Sequence, residues 1–106
     1  MMIIPPGGTL GILGGGQLGR MIALAAARLG YKCHVFCPEA DAPALLVCAA
    51  HTQGSFTDKA ALERFAAAVD VVTLEWENVP LETLDFLARF KPVCPGPSAR
   101  VLRRSV

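Results

Sequence analysis

Two short stretches carry residues whose types and spacing can do chemistry. In GILGGGQLGR, residues 11–20, Gly14, Gly16 and Gly19 fit G-x-G-x-x-G, with an apolar run before them and a helical pattern after. The first glycines permit a tight turn and a close approach of ligand to backbone. Gly19 lets the helix pack near the strand. Free amides at a helix start favour an anion or an acceptor oxygen. The second stretch is LEWENV, residues 74–79, where Glu75 and Glu77 flank Trp76. Neighbouring carboxylates repel, so a pair of them calls for a counter-group or a hydrogen-bond donor such as a ribose hydroxyl or an amine. Plainer readings exist for both stretches. The loop can be a bare strand-to-helix turn, Glu75 can cap the next helix, and Glu77 can simply be solvated. Asn78 reads as a cap for a helix beginning near Pro80.

These residues need elements to hold them. Residues 9–13, TLGIL, read as a short buried strand, and Gln17 to Leu29 as a helix that Gly30 stops. In that helix Leu18, Met21, Ile22, Ala25, Ala26 and Leu29 recur at helical spacing. Residues 32–37, KCHVFC, predict a second strand, 38–43 a loop, 44–50 a short helix and 51–56 a weak third strand. Asp58 is placed to cap a helix to Ala68, with Leu62, Phe65 and Ala66 facing inward. DVVTL, residues 70–74, is the clearest strand. Pro80 suits the first turn of a helix to about Phe90, with Leu81, Leu84 and Leu87 on one face. Residues 92–94 predict a fifth strand, and SARVLRRSV begins a further helix. Alternating strands and helices imply an α/β fold, a Rossmann-like open parallel sheet with helices on both faces. Ligands in such sheets bind beyond the carboxyl ends of the strands, where both stretches fall.

Composition removes several function classes. The chain has 106 residues, 53% hydrophobic and 18% charged, with a net charge of +1. One domain fits that length. There is no clustered basic stripe, so no nucleic-acid partner is expected, and Arg100, Arg103 and Arg104 read as a solvated helix face. No apolar run reaches membrane-spanning length, and the start has no basic leader, so the expected location is cytoplasmic. Cys33, Cys37, Cys48 and Cys94 form no C-x-x-C pair and no zinc pattern, which predicts reduced thiols and no metal site. Cys33 and Cys37 fall on one face of their strand. A dinucleotide-binding module of an oxidoreductase or ligand sensor is the alternative reading. It wants an acid at the end of the second strand, where Phe36-Cys37-Pro38 stands and Glu39 lies past the proline. A third reading is an interaction fragment whose apolar surface packs on a partner.

The series GILGGGQLGRMIALAAARLGYK, EADAPA and TDKAALERFAAAVDVVTLEWENVP resembles the amino-terminal pre-ATP-grasp domain of the N5-carboxyaminoimidazole ribonucleotide synthetases. These are also called phosphoribosylaminoimidazole carboxylase ATPase subunits, a name that attaches a lyase class to a ligase. The resemblance covers roughly residues 9–97, leaving 1–8 as an extension and 98–106 as the start of a truncated or altered linker helix. It implies an ATP-grasp ligase of purine biosynthesis that joins ATP, bicarbonate and aminoimidazole ribonucleotide through carboxyphosphate. It implies magnesium, ATP held mainly by later domains, and a homodimer for the whole enzyme. Carried over by motif, Gly14, Gly15, Gly16, Gln17, Leu18 and Glu75 are the substrate-binding residues, with no catalytic residue in this stretch. Gln17 and Asn78 favour the carboxylating branch over relatives that use formate. Cys37 departs from the aspartate usual after the second strand. The D-R-x-x-x-K signature that usually follows is missing, so the 106-residue chain alone is expected to be inactive and to bind no cofactor tightly.

Overall fold

The computed structural model describes residues 7–75 and 79–94. Five strands, β1 (Thr9–Leu13), β2 (Lys32–Cys37), β3 (Ala50–Gln53), β4 (Val71–Leu74) and β5 (Val93–Cys94), pair in parallel in the order β3-β2-β1-β4-β5. Three helices connect them: α1 (Gln17–Arg28), α2 (Lys59–Ala67) and α3 (Leu81–Ala88). The expected Rossmann-like sheet is therefore present. β1 is central, with Ile12 in register with Val35 on one side and Thr73 on the other. The chain runs outward from β1 through β2 and β3, then returns to the other side for β4 and β5. That reversal places the topological switch point between β1 and β4.

The sheet is covered on both faces. On one side α2 and α3 pack Leu62, Phe65, Leu84 and Leu87 against Leu13, Phe36 and Val72. On the other, α1 and a single 3-10 turn at Pro43–Leu46 pack Ala23, Ala26 and Ala44 against Ile12, Cys33, Val35 and Cys37. Residues 44–50 thus give a tight turn rather than a helix, and Ala50 already belongs to β3. A proline opening the turn and the short distance to the next strand leave no room for more. The inward face expected for α2 is confirmed, as is the cap, since the Asp58 side chain accepts from the Ala61 amide at 3.2 Å. Pro80 is the N-cap residue of α3 rather than part of its first turn.

The face of α1 is a different matter. Its buried residues are small, Gly19, Ala23 and Ala26, while Leu18, Met21, Leu24 and Leu29 are exposed. Of the apolar stripe read from the sequence, Ala26 and Ile22 pack toward the sheet while Leu18, Met21 and Leu29 turn outward, because small side chains fill the contact. Cys33 and Cys37 are both buried on the α1 side, as their spacing requires. The predicted helix beyond residue 97 and its three arginines lie outside the described residues.

His34 points to the opposite face. Its Nε2 lies 2.7 Å from Thr52 Oγ1 and its ring meets Phe65 at 5.6 Å. Burial, and secondarily His51, hold its pKa below the ordinary 6.5. A histidine with a depressed folded pKa is destabilised by protonation. Its contribution is full above the unfolded pKa and is lost as pH falls through it toward the folded value. Melting temperature is therefore expected to decline from about pH 7 to about pH 5. The variant His34→Gln should flatten that slope in a series of thermal melts. An unchanged slope in the variant would assign the pH dependence elsewhere.

Candidate functional site

The glycine loop begins where β1 ends. Gly14 has φ 111°, a conformation that L side chains rarely adopt, and its amide donates to the Phe36 carbonyl at 2.8 Å. The loop is thereby tied to the end of β2. Gly15 is held through its carbonyl, which accepts from the Ala44 amide at 2.8 Å. A Cβ on Gly15 would lie 2.6 Å from Ala42 Cβ and 3.0 Å from Cys37 Sγ, so the 3-10 turn packs directly on bare backbone. Gly16 is the N-cap of α1. It offers no side-chain acceptor to the helix amides, and the first turn holds no acid. The amide end of α1, with its partial positive charge, is thus left for another acceptor.

Glu75 reaches the same place from β4. Its amide donates to the Leu13 carbonyl at 2.9 Å, which extends the β1–β4 pairing by one residue. Its half-buried side chain runs back against the glycine loop. A Cβ on Gly16 would meet Glu75 Oε1 at 2.5 Å, and one on Gly19 would meet Glu75 Cγ at 3.2 Å. The glycines at these two positions make room for a carboxylate, a role that spacing alone does not reveal. Glu75 does not cap α3, whose N-cap is Pro80 without a side-chain bond. Glu77 and Asn78, the other members of that motif, lie outside the described residues.

Between the strand ends lies a cavity of about 240 Å³ lined by Gly14, Gly15, Gly16, Cys37, Pro38, Glu39, Phe56 and Glu75. Four of the residues marked in the sequence, Gly14, Gly15, Gly16 and Glu75, come together here. Gln17 and Leu18 do not line it. They sit exposed on the first turn of α1, directly after Gly16. Phe56 carries no signal in the sequence, while Cys37 and Pro38 stand out only as the end of the second strand and Glu39 only as a ribose acid for a dinucleotide. The end of β2 joins the site because β2 neighbours β1, and strand order is not written in local sequence. The Cys37 thiol is pushed up in pKa by burial, then by the Glu39 carboxylate, with Glu75 a smaller contributor. It sits in this wall as a protonated, weakly polar group rather than a nucleophile.

The two glycines that touch Glu75 differ from Gly14 in what a side chain would cost. Gly16 has φ −75° and ψ −166°, open to any residue, and the atom it would displace is the end of a flexible side chain. Gly16→Ala should therefore stay within about 0.5 kcal/mol of the parent, while moving the carboxylate. Gly14→Ala should cost about 1–3 kcal/mol through backbone strain. Paired chemical melts check this, and equal losses in the two variants would contradict the geometry.

No group of three or more His, Cys, Asp or Glu side chains among the described residues stands together to hold a metal ion. No helix of the described residues is long and apolar enough to cross a membrane.

Comparison with known proteins points in one direction. Residues 8–103 match the family model of the ribonucleotide synthetase pre-ATP-grasp domain. The chain is 49% identical over 102 residues to the bifunctional purine synthesis protein purC/E of Dictyostelium discoideum, covering 96% of this chain and 10% of that protein. An ADP complex of an N5-carboxyaminoimidazole ribonucleotide synthetase superposes with TM-score 0.89 at 40% identity, over 93% of this chain and 26% of the other. The Aspergillus clavatus synthase in complex with ADP and 5-aminoimidazole ribonucleotide superposes with TM-score 0.74 at 36% identity, over 83% of this chain and 24% of the other. This chain thus spans about a quarter or less of the proteins it matches. A synthetase is a ligase, which corrects the lyase class suggested by the carboxylase name.

Proposed function

Since the chain belongs to the ribonucleotide synthetase pre-ATP-grasp family, we propose that it is the substrate-holding domain of a ligase that carboxylates 5-aminoimidazole ribonucleotide in purine biosynthesis. The observation that carries this reading is the convergence of Glu75 with the bare Gly14–Gly16 backbone at the sheet's switch point, around one cavity. At Gly16 the atom that a Cβ would meet first is the carboxylate oxygen of Glu75 itself.

The chemistry of this chain is positional. The Glu75 carboxylate accepts hydrogen bonds from donors on the nucleotide, its hydroxyls or its amine. The open amides at Gln17 and Leu18 donate to an oxygen of the same molecule. Gly14, Gly15 and Gly16 let the ligand lie against the main chain. Holding the amine in one orientation turns an encounter of two molecules into a reaction within one complex. ATP, when bound elsewhere in such an enzyme, supplies the phosphoryl group that activates bicarbonate. Magnesium would serve that step, and the described residues of this chain do not fit it, since they offer no metal-holding cluster. Bicarbonate as co-substrate and homodimeric assembly belong to the same proposal. So does a cytoplasmic setting, consistent with free cysteines at Cys33, Cys37, Cys48 and Cys94.

The test is a domain graft. Substituting this chain for the corresponding domain of a full-length synthetase should preserve nucleotide-dependent ADP release, whereas the 106-residue chain alone should release none. The glycine loop lacks a following G-K-[ST] and cannot act as a P-loop. A graft that folds and binds ATP but shows no response to the nucleotide would refute the reading. So would nucleotide-dependent turnover by the purified chain.

A further inference from the structure

The cavity has a second acid on its opposite wall. Glu39 lines it from the end of β2, as Glu75 does from the end of β4, and among the described residues the lining contains no lysine, arginine or histidine. The backbone that carries Glu39 is fastened on both sides. Gln53 Nε2 donates to the Pro38 carbonyl at 3.1 Å, and Cys37 Sγ–H donates to the Glu39 carbonyl at 3.3 Å. Pro38 adds a fixed φ between them. An exposed glutamate on a free loop would need none of this. Here two side chains and a proline fix where the acid leaves the chain, at the mouth of the bare glycine backbone of the site.

Charge then restricts what can enter. Among the described lining residues, two carboxylates and no cationic side chain in about 240 Å³ repel a phosphate and favour neutral or cationic hydrogen-bond donors. Of the parts of a ribonucleotide, the sugar hydroxyls and the exocyclic amine meet that description, and the phosphate does not. We propose that Glu39 is a specificity-determining residue of this site, accepting hydrogen bonds from the donor-bearing part of the ribonucleotide opposite Glu75. The proposal rests on the reading of the site as a ribonucleotide pocket.

The experiment is a chemical-shift titration of the 106-residue chain with aminoimidazole ribonucleotide and, separately, with the corresponding nucleoside that lacks the phosphate. Parent, Glu39→Gln and Glu75→Gln are compared, with thermal melts to confirm that each is folded. Glu39→Gln keeps the size of the side chain and removes its charge. The expected result is that it weakens nucleotide and nucleoside by the same factor, about three- to tenfold. Tighter binding of the nucleotide with unchanged nucleoside would show that Glu39 only repels phosphate, and would overturn the proposal. Unchanged binding of both ligands in Glu39→Gln, with a loss in Glu75→Gln, would also overturn it and leave the ribonucleotide reading standing. Absence of any shift in the parent would remove that reading and the proposal with it.

Discussion

Replacing Phe65 by alanine is expected to cost about 3–5 kcal/mol of folding stability. The ring is fully buried and meets Phe36 at 5.4 Å and His34 at 5.6 Å between centroids. It also lies directly on Gly11 of the central strand, where a Cβ would come within 2.7 Å of Phe65 Cζ. That strand position has no side chain to relax into the space, so the cavity stays largely open. A domain of this size has about 5–15 kcal/mol in total, so the loss removes a large share of it. Urea unfolding should show a lower midpoint at nearly constant slope. A cost below about 1.5 kcal/mol would mean that α2 can collapse onto β1, contrary to the packing described.

The second large effect concerns binding. In a full-length synthetase carrying this domain, Glu75→Gln should weaken aminoimidazole ribonucleotide by roughly tenfold to a hundredfold, or about 1.5–3 kcal/mol for a hydrogen bond to a charged acceptor. ATP affinity should change much less. The reason is local. Glu75 is held by its amide to Leu13, and its side chain lies over the bare positions Gly16 and Gly19, which sets its carboxylate beside the glycine loop. Glutamine fits the same place, which keeps the fold intact and leaves the lost charge as the cause. Titration calorimetry with each ligand separates the two effects. Equal losses for nucleotide and ATP would contradict the assignment of Glu75 to the nucleotide.

Much of this arrangement is legible in the sequence because local chemistry dictates it. TLGIL and KCHVFC are short, mostly apolar runs closed by glycine or proline, and β1 and β2 have the bounds they predict. Asp58 announces α2 because a short acceptor before a helical pattern has one good use. The glycine loop and Glu75 stand out by type and spacing, and the structure brings them within contact. The orientation of α1 was not legible. Period identifies a stripe, but whether Leu18 and Met21 or the small Ala23 meets the sheet depends on how closely the helix packs, which no short window contains. Phe56 was not legible as a site residue, and Glu39 and Cys37 were legible only as the end of the second strand, for another reason. They reach the cavity only because β2 lies beside β1 and Phe56 follows β3, facts of topology that no short window contains.

The most direct measurement of the central claim is a nitrogen–proton chemical-shift map of this chain, titrated with aminoimidazole ribonucleotide and, in parallel, with NAD. The account predicts saturable shifts from the ribonucleotide at Gly14, Gly15, Gly16, Gln17, Leu18 and Glu75, weak in affinity and confined to the carboxyl ends of β1, β2 and β4, with little response to the dinucleotide. Tight binding of NAD at those residues, or ribonucleotide shifts that map instead to the exposed outer face of α1, would contradict it.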